Sequence, residues 1–213
     1  MRNNFLRIAA ATVACAVSAL TAHAISYTFT QITNNSGSNA VAGQLSVDVN
    51  AVPATGFSFK FTNNVGLPSN VSEIYATSTK TLGALTITES ATVDFSAGGS
   101  PGSLPGSSGA LSIRASANSP APSNGLNQST DWVTLTFLFN STYSTYASLL
   151  SDLNSGNLQL GLHVTGIGNG FSESFVTTGA PNNNTPGVPD GGTTVSLLGG
   201  VLVGLYALKR KLS

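Results

Sequence analysis

Charge is the scarcest commodity in this chain of 213 residues: Asp, Glu, Lys and Arg together make up 8%, about a third of the share in a typical soluble protein. Solubility therefore has to come from Ser, Thr, Asn and Gly. Cysteine is scarcer still. The single one, Cys15, lies in the apolar leader described below, so a chain that loses its leader has no disulfide, thiolate zinc site or cysteine nucleophile. Its fold must rest on an apolar core, for which about 160 residues suffice. Cations are few between Ile25 and Val188: Lys60, Lys80 and Arg114 stand against Asp48, Glu73, Glu89, Asp94, Asp131, Asp152 and Glu173. A mildly acidic surface without a basic patch excludes nucleic acid as a partner, because binding there requires replacing counterions.

The cations that remain gather at the two ends. Arg2 and Arg7 precede an apolar run from Ile8 to Leu20, and Ala22-His23-Ala24 follows with a small residue on each side of the histidine. This is the layout of a secretory signal peptide, with cleavage after Ala24 and Ala22 and Ala24 as the recognised residues. The thirteen-residue run would reach about 20 Å as a helix, short of a membrane core of roughly 30 Å. The reading implies signal peptidase and Sec-type export machinery as partners.

At the other end, Pro181 to Gly192 (PNNNTPGVPDGG) is a linker in which Pro and Gly oppose both helix and strand. Thr193 to Leu208 is free of charge, and Lys209, Arg210 and Lys211 follow at once. Sixteen residues give about 24 Å of helix, and basic side chains can snorkel to make up part of the deficit. The cluster is expected on the cytoplasmic side, which leaves the middle of the chain outside the inner membrane.

Val188-Pro189-Asp190-Gly191-Gly192, the apolar span and the terminal basic cluster resemble the PEP-CTERM sorting signal, in its VPDSG/VPDGG form, over Val188 to Ser213. The motif has Val-Pro-Asp where the commoner form has Pro-Glu-Pro. The resemblance implies that an exosortase, an integral-membrane protease or transpeptidase, reads the tail and cleaves near the motif. The physical logic is consistent: proline and two glycines keep the segment extended, with its backbone accessible to a membrane-embedded enzyme.

Between the two addresses, residues 25–180 read as strands separated by turns. Val41, Gly43, Leu45, Val47 and Val49 alternate with polar residues, as do Phe57, Phe59 and Phe61. Leu85 and Ile87, then Val93 and Phe95, give two short strands. Val133, Leu135, Phe137 and Phe139 share one face of a strand whose other face is half apolar, which places it away from an edge. Leu158 to Val164 and Ser172 to Thr177 complete the set. Tyr143, Tyr146, Leu150 and Leu153 fall at helical spacing and Asn154-Ser155-Gly156 ends the run, predicting one short helix over 143–153. Gly98 to Gly109 reads as a surface loop. The predicted class is all-β, an antiparallel β-sandwich loosely like immunoglobulin or cohesin modules, with one short helix, an N-terminal signal helix and a single C-terminal transmembrane helix. The predicted organisation is 1–24 signal peptide, 25–180 β-domain, 181–192 linker with the motif, and 193–213 membrane helix and basic tail.

Chemistry is thinly represented. His163 is the one histidine left after leader removal; it sits on the face of its strand opposite Leu158, Leu160, Leu162 and Val164, and is expected to be an exposed strand residue without a partner. No nucleophile elbow, phosphate loop or calcium loop appears; Asp94, Asp131 and Asp152 are the acids from which a nonlocal calcium site would be built. No catalytic, cofactor-binding or metal-ligating residue is assigned. The expected function is that of a non-enzymatic envelope or extracellular-matrix protein of a Gram-negative-type bacterium, anchored in the inner membrane as a precursor and then sorted, with extracellular polysaccharide as a further partner. A glycan- or protein-binding β-module is the alternative, and a hydrolase with two carboxylates the second alternative.

Overall fold

The computed structural model describes residues 24–35, 41–99, 102–107 and 109–179. Ten strands carry the fold: β1 Ile25–Gln31, β2 Leu45–Val52, β3 Gly56–Asn63, β4 Asn70–Ser78, β5 Leu85–Glu89, β6 Phe95–Ala97, β7 Leu111–Ala117, β8 Trp132–Leu138, β9 Leu158–Ile167 and β10 Phe171–Thr177. All pairings are antiparallel, in the order β5-β8-β3-β2-β1-β10-β9-β4-β7-β6. β1 joins the two halves: Ile25 to Thr28 pair with β2, and Phe29 to Gln31 pair with β10. The sheet curls until it is nearly barrel-like, and at the seam the Glu89 carboxylate accepts the Phe95 backbone N–H at 2.8 Å.

Alternation decides which side of the sheet each residue takes. In the first half, Val47, Phe61 and Val133 stand in one cross-strand row and Val49, Phe59 and Leu135 in the next, all buried. Phe57 and Phe137 stack at 5.6 Å between ring centroids. The second half answers with Phe175, Leu162, Ile74 and Ala115 in a buried row. β8 lies between β5 and β3, as its half-apolar outer face predicts.

Three local expectations are corrected. The strand expected from Val41 begins at Leu45, because Ala42–Gln44 form a 3-10 turn. The helix begins at Tyr146: α2, Tyr146–Ser155, is capped by Thr145, whose hydroxyl accepts the Ser148 N–H at 3.1 Å, and ends at Gly156 with φ 76°. Tyr143 belongs to the preceding turn, where Asn140 Oδ1 accepts its N–H at 2.7 Å. A four-residue helix, α1 at Ala121–Asn124, adds to the one expected. α2 buries Leu149 and Leu153 against the end of the sheet, and Tyr146 donates its hydroxyl to the Val49 carbonyl at 2.8 Å.

The segment from Gly98 to Gly109 is not simply a surface loop. Its described part crosses the outer side of the second half. Gly99 sits against Ser116 and Arg114, Leu104 against Gly161, and Gly106 against Ile32 and Thr33. Leu104 is 1% exposed. A Cβ on Gly161 would stand 2.5 Å from Leu104 Cδ2, so glycine there permits the close approach.

The leader (1–23) and the tail (180–213), with the signal helix and membrane helix expected in them, lie outside the described residues. Among the described residues no helix is long and apolar enough to cross a membrane.

Candidate functional site

Beneath that crossing segment, strand register assembles a polar row that local sequence could not reveal. Ser174 on β10 is opposite His163 on β9, which is opposite Glu73 on β4. His163 Nδ1 lies 3.2 Å from Glu73 Oε2, and the side chains are 19% and 8% exposed. Tyr75, fully buried two residues along β4, donates its hydroxyl to the same carboxylate oxygen at 2.6 Å. Burial, then the bond to Glu73 and its charge, push the Tyr75 phenol well above its ordinary range, with Arg114 pulling partly back. His163 is therefore half-buried and partnered, not exposed and alone. Ninety residues separate it from Glu73, and only the β4–β9 pairing brings them together.

Ser, His and Glu in one row are the residue types of an acyl-transfer triad. The geometry does not complete one. Ser174 is 1% exposed and its Oγ makes no hydrogen bond, so His163 does not take its proton and a substrate carbonyl has no path to it. The row works as a buried polar ladder.

The other acids are likewise engaged. Asp152 accepts Lys80 Nζ at 2.6 Å, and Lys80 also lies over the Tyr143 ring, 5.5 Å from its centroid. Burial pushes Asp152 up, but hydrogen bonds from Lys80, Tyr143 and Asn157 together bring it below the ordinary carboxylate value. Burial first, with Asp152 beside it, raises the Tyr143 phenol to about 12. Asp131 accepts the N–H groups of Asn127 and Gln128 at 3.0 and 2.9 Å and the Thr92 hydroxyl at 2.8 Å. Asp94 accepts from Asn118 at 2.6 Å. Among the described residues no group of three or more His, Cys, Asp or Glu side chains is placed to hold a metal ion. Glu173, almost wholly buried, accepts the Thr33 hydroxyl at 2.6 Å. A cavity of about 360 Å³ beside the end of α2 is lined by Val176, glycines and uncharged polar residues, including Thr30, Asn154, Gln159 and Thr178, and by no titratable group.

What defines the class of this protein is thus an antiparallel β-domain followed by a tail with an address. Residues 187–212 match the VPDSG-CTERM motif, a variant of the PEP-CTERM-type sorting signal. The match contains Val188, Pro189, Asp190, Gly191 and Gly192 and the basic cluster Lys209, Arg210 and Lys211. Such a signal implies exosortase processing of an exported protein at the membrane. No curated protein and no solved structure matches the chain. Of the residues read as the leader's cleavage signal, Ala22 lies outside the described residues, and Ala24 is exposed immediately before β1.

Proposed function

We propose that this protein is a non-enzymatic component of the cell envelope or extracellular matrix of a Gram-negative-type bacterium. It is exported by Sec-type machinery, cut after Ala24, held in the inner membrane by its C-terminal span, and then trimmed by an exosortase-like enzyme at Val188–Gly192. The observation that carries this reading is the motif match at residues 187–212, together with the charge-free Thr193–Leu208 run and the cations behind it.

Two features of the domain support it. Phe29 pairs with Thr177, so the first strand begins and the last strand ends at the same end of the sheet. The sequestered Ser174 and the occupied carboxylates favour a role in binding or structure over hydrolysis. The buried rows of the two halves face a common core, which favours reading them as layers of a sandwich of the immunoglobulin or cohesin kind.

Deletion of Val188–Gly192 tests the assignment. The deleted protein is expected to accumulate in the membrane with its C-terminal span attached, while mass spectrometry of the parent shows both terminal segments removed. Normal trimming and release of the deletion variant would sink the reading.

A further inference from the structure

The outer side of the first half of the sheet is partly open to solvent, and its residues are ordered by register into three rows. Thr86, Thr136, Ser58 and Asn50 form the first; Thr88, Thr134, Lys60, Asp48 and Ser26 the second; Trp132, Thr62, Ser46 and Thr28 the third. Thr28, Thr86 and Thr88 are exposed, Ser58 is buried, and the remaining nine, Trp132 among them, are partly exposed. Five strands at about 4.8 Å make a face roughly 19 Å wide, with rows about 6.7 Å apart.

From this face we infer a binding site for a neutral polysaccharide chain. Trp132 is the chain's single tryptophan, and it stands on this face and not in the core. Its indole is braced by Lys60 Nζ, 5.2 Å from the ring centroid, and its N–H makes no hydrogen bond among the described residues. A buried tryptophan N–H normally finds a partner; this partly exposed ring keeps its donor unspent and can offer it, with its open edge, to a ligand. A pyranose ring offers what this surface can use: an apolar C–H face to lie on the indole, and hydroxyls around its edge for Thr62, Thr134, Ser46 and Asn50.

Charge argues for a neutral ligand. Lys60 and Asp48 are the titratable groups on the three rows; Lys60 is held over the indole, and Asp48 accepts the Ser26 hydroxyl. One cation does not hold a polyanion such as nucleic acid or a polyuronate. Apart from Trp132, the exposed apolar side chain of this face is Leu138 at its margin, too little for a lipid surface to grip. Ser46 and Thr62 already hydrogen-bond each other at 2.7 Å, so part of the face is pre-ordered before a ligand arrives.

The single tryptophan also makes the test direct. The full chain, kept in a detergent without sugar groups, is titrated with cellohexaose, xylohexaose, mannohexaose and chitohexaose, and with hexagalacturonate as the acidic control. Saturable change in indole emission with at least one neutral hexasaccharide is expected. By calorimetry, Trp132→Ala and Thr134→Arg, the latter placing bulk on the middle row, each weaken that binding by about tenfold or more. Circular dichroism identical to the parent shows that each variant is folded. Silence with every neutral oligosaccharide, binding of hexagalacturonate alone, or retention within about twofold in folded Thr134→Arg would overturn the inference. The site is independent of the tail: trimming of Trp132→Ala is expected to proceed as in the parent, so failure here leaves the sorting assignment intact.

Discussion

The two outer faces of the sheet make an instructive pair. The face of β10, β9, β4 and β7 holds the residues that look most like chemistry, namely Glu73, Tyr75, His163 and Ser174, yet Leu104 and its neighbours lie across it. The face of β5, β8, β3 and β2 holds mostly Thr and Ser with a lone Trp, and most of it is partly exposed. Titratable groups, once sealed, serve the fold; unremarkable hydroxyls, left in register on a partly open face, are the ones available to a partner. Accessibility separates site from scaffold more sharply than residue type does.

The sharpest way to break this comparison is to truncate one aromatic on each face. Tyr75→Ala is expected to cost about 3–5 kcal/mol, as for other large buried rings, whereas Trp132→Ala, whose ring is only partly buried, should cost about 1–2 kcal/mol. Urea denaturation of both variants measures this, and equal losses would show that the two faces do not differ. A smaller effect is expected from Gly161→Ala, which pushes a methyl toward Leu104: a loss of about 1–3 kcal/mol, with faster proteolysis in the crossing segment. Unchanged cleavage would mean that the cover does not depend on that contact. The smallest effect concerns Asp152, whose folded pKa is depressed. Its contribution is present above the unfolded carboxylate pKa and is lost as pH falls through the folded one. Because Lys80 is 44% exposed, solvent screening limits the effect. Asp152→Asn should lower stability at pH 7 by less than about 1 kcal/mol and change it least near pH 2. A larger loss at pH 2 than at pH 7 would contradict the assigned sign.

How much of this was legible beforehand depended on how simply each strand is used. β2 and β8 bury one face cleanly, and β3 and β9 carry the same alternation in sequence, so period two gave them away. β4 did not declare itself. All nine of its residues are buried, a register shift falls between Val71 and Glu73, and Thr77 lies against Gly109 at the end of a segment that composition marks as loop. β1 and β7 do alternate, at Ile25, Tyr27 and Phe29 and at Leu111, Ile113 and Ala115, but each borders residues that read as leader or turn. The Glu73–His163 contact could not be read, because it exists only through strand pairing. The tail was legible because its message is linear: a motif, an apolar span and a cationic stop need no fold to be recognised.

One consequence follows from β1 being shared between β2 and β10. β1 is completed by β10, the last strand of the domain, so closure of the sheet spans nearly the whole domain and is slow by its topology. In the proposed export the sheet therefore cannot close fully until its last strand has been delivered. It shuts only once Thr177 has emerged, when the sorting tail is the next part of the polypeptide to reach the bilayer. Maturation of the cargo and presentation of its address are thereby timed together.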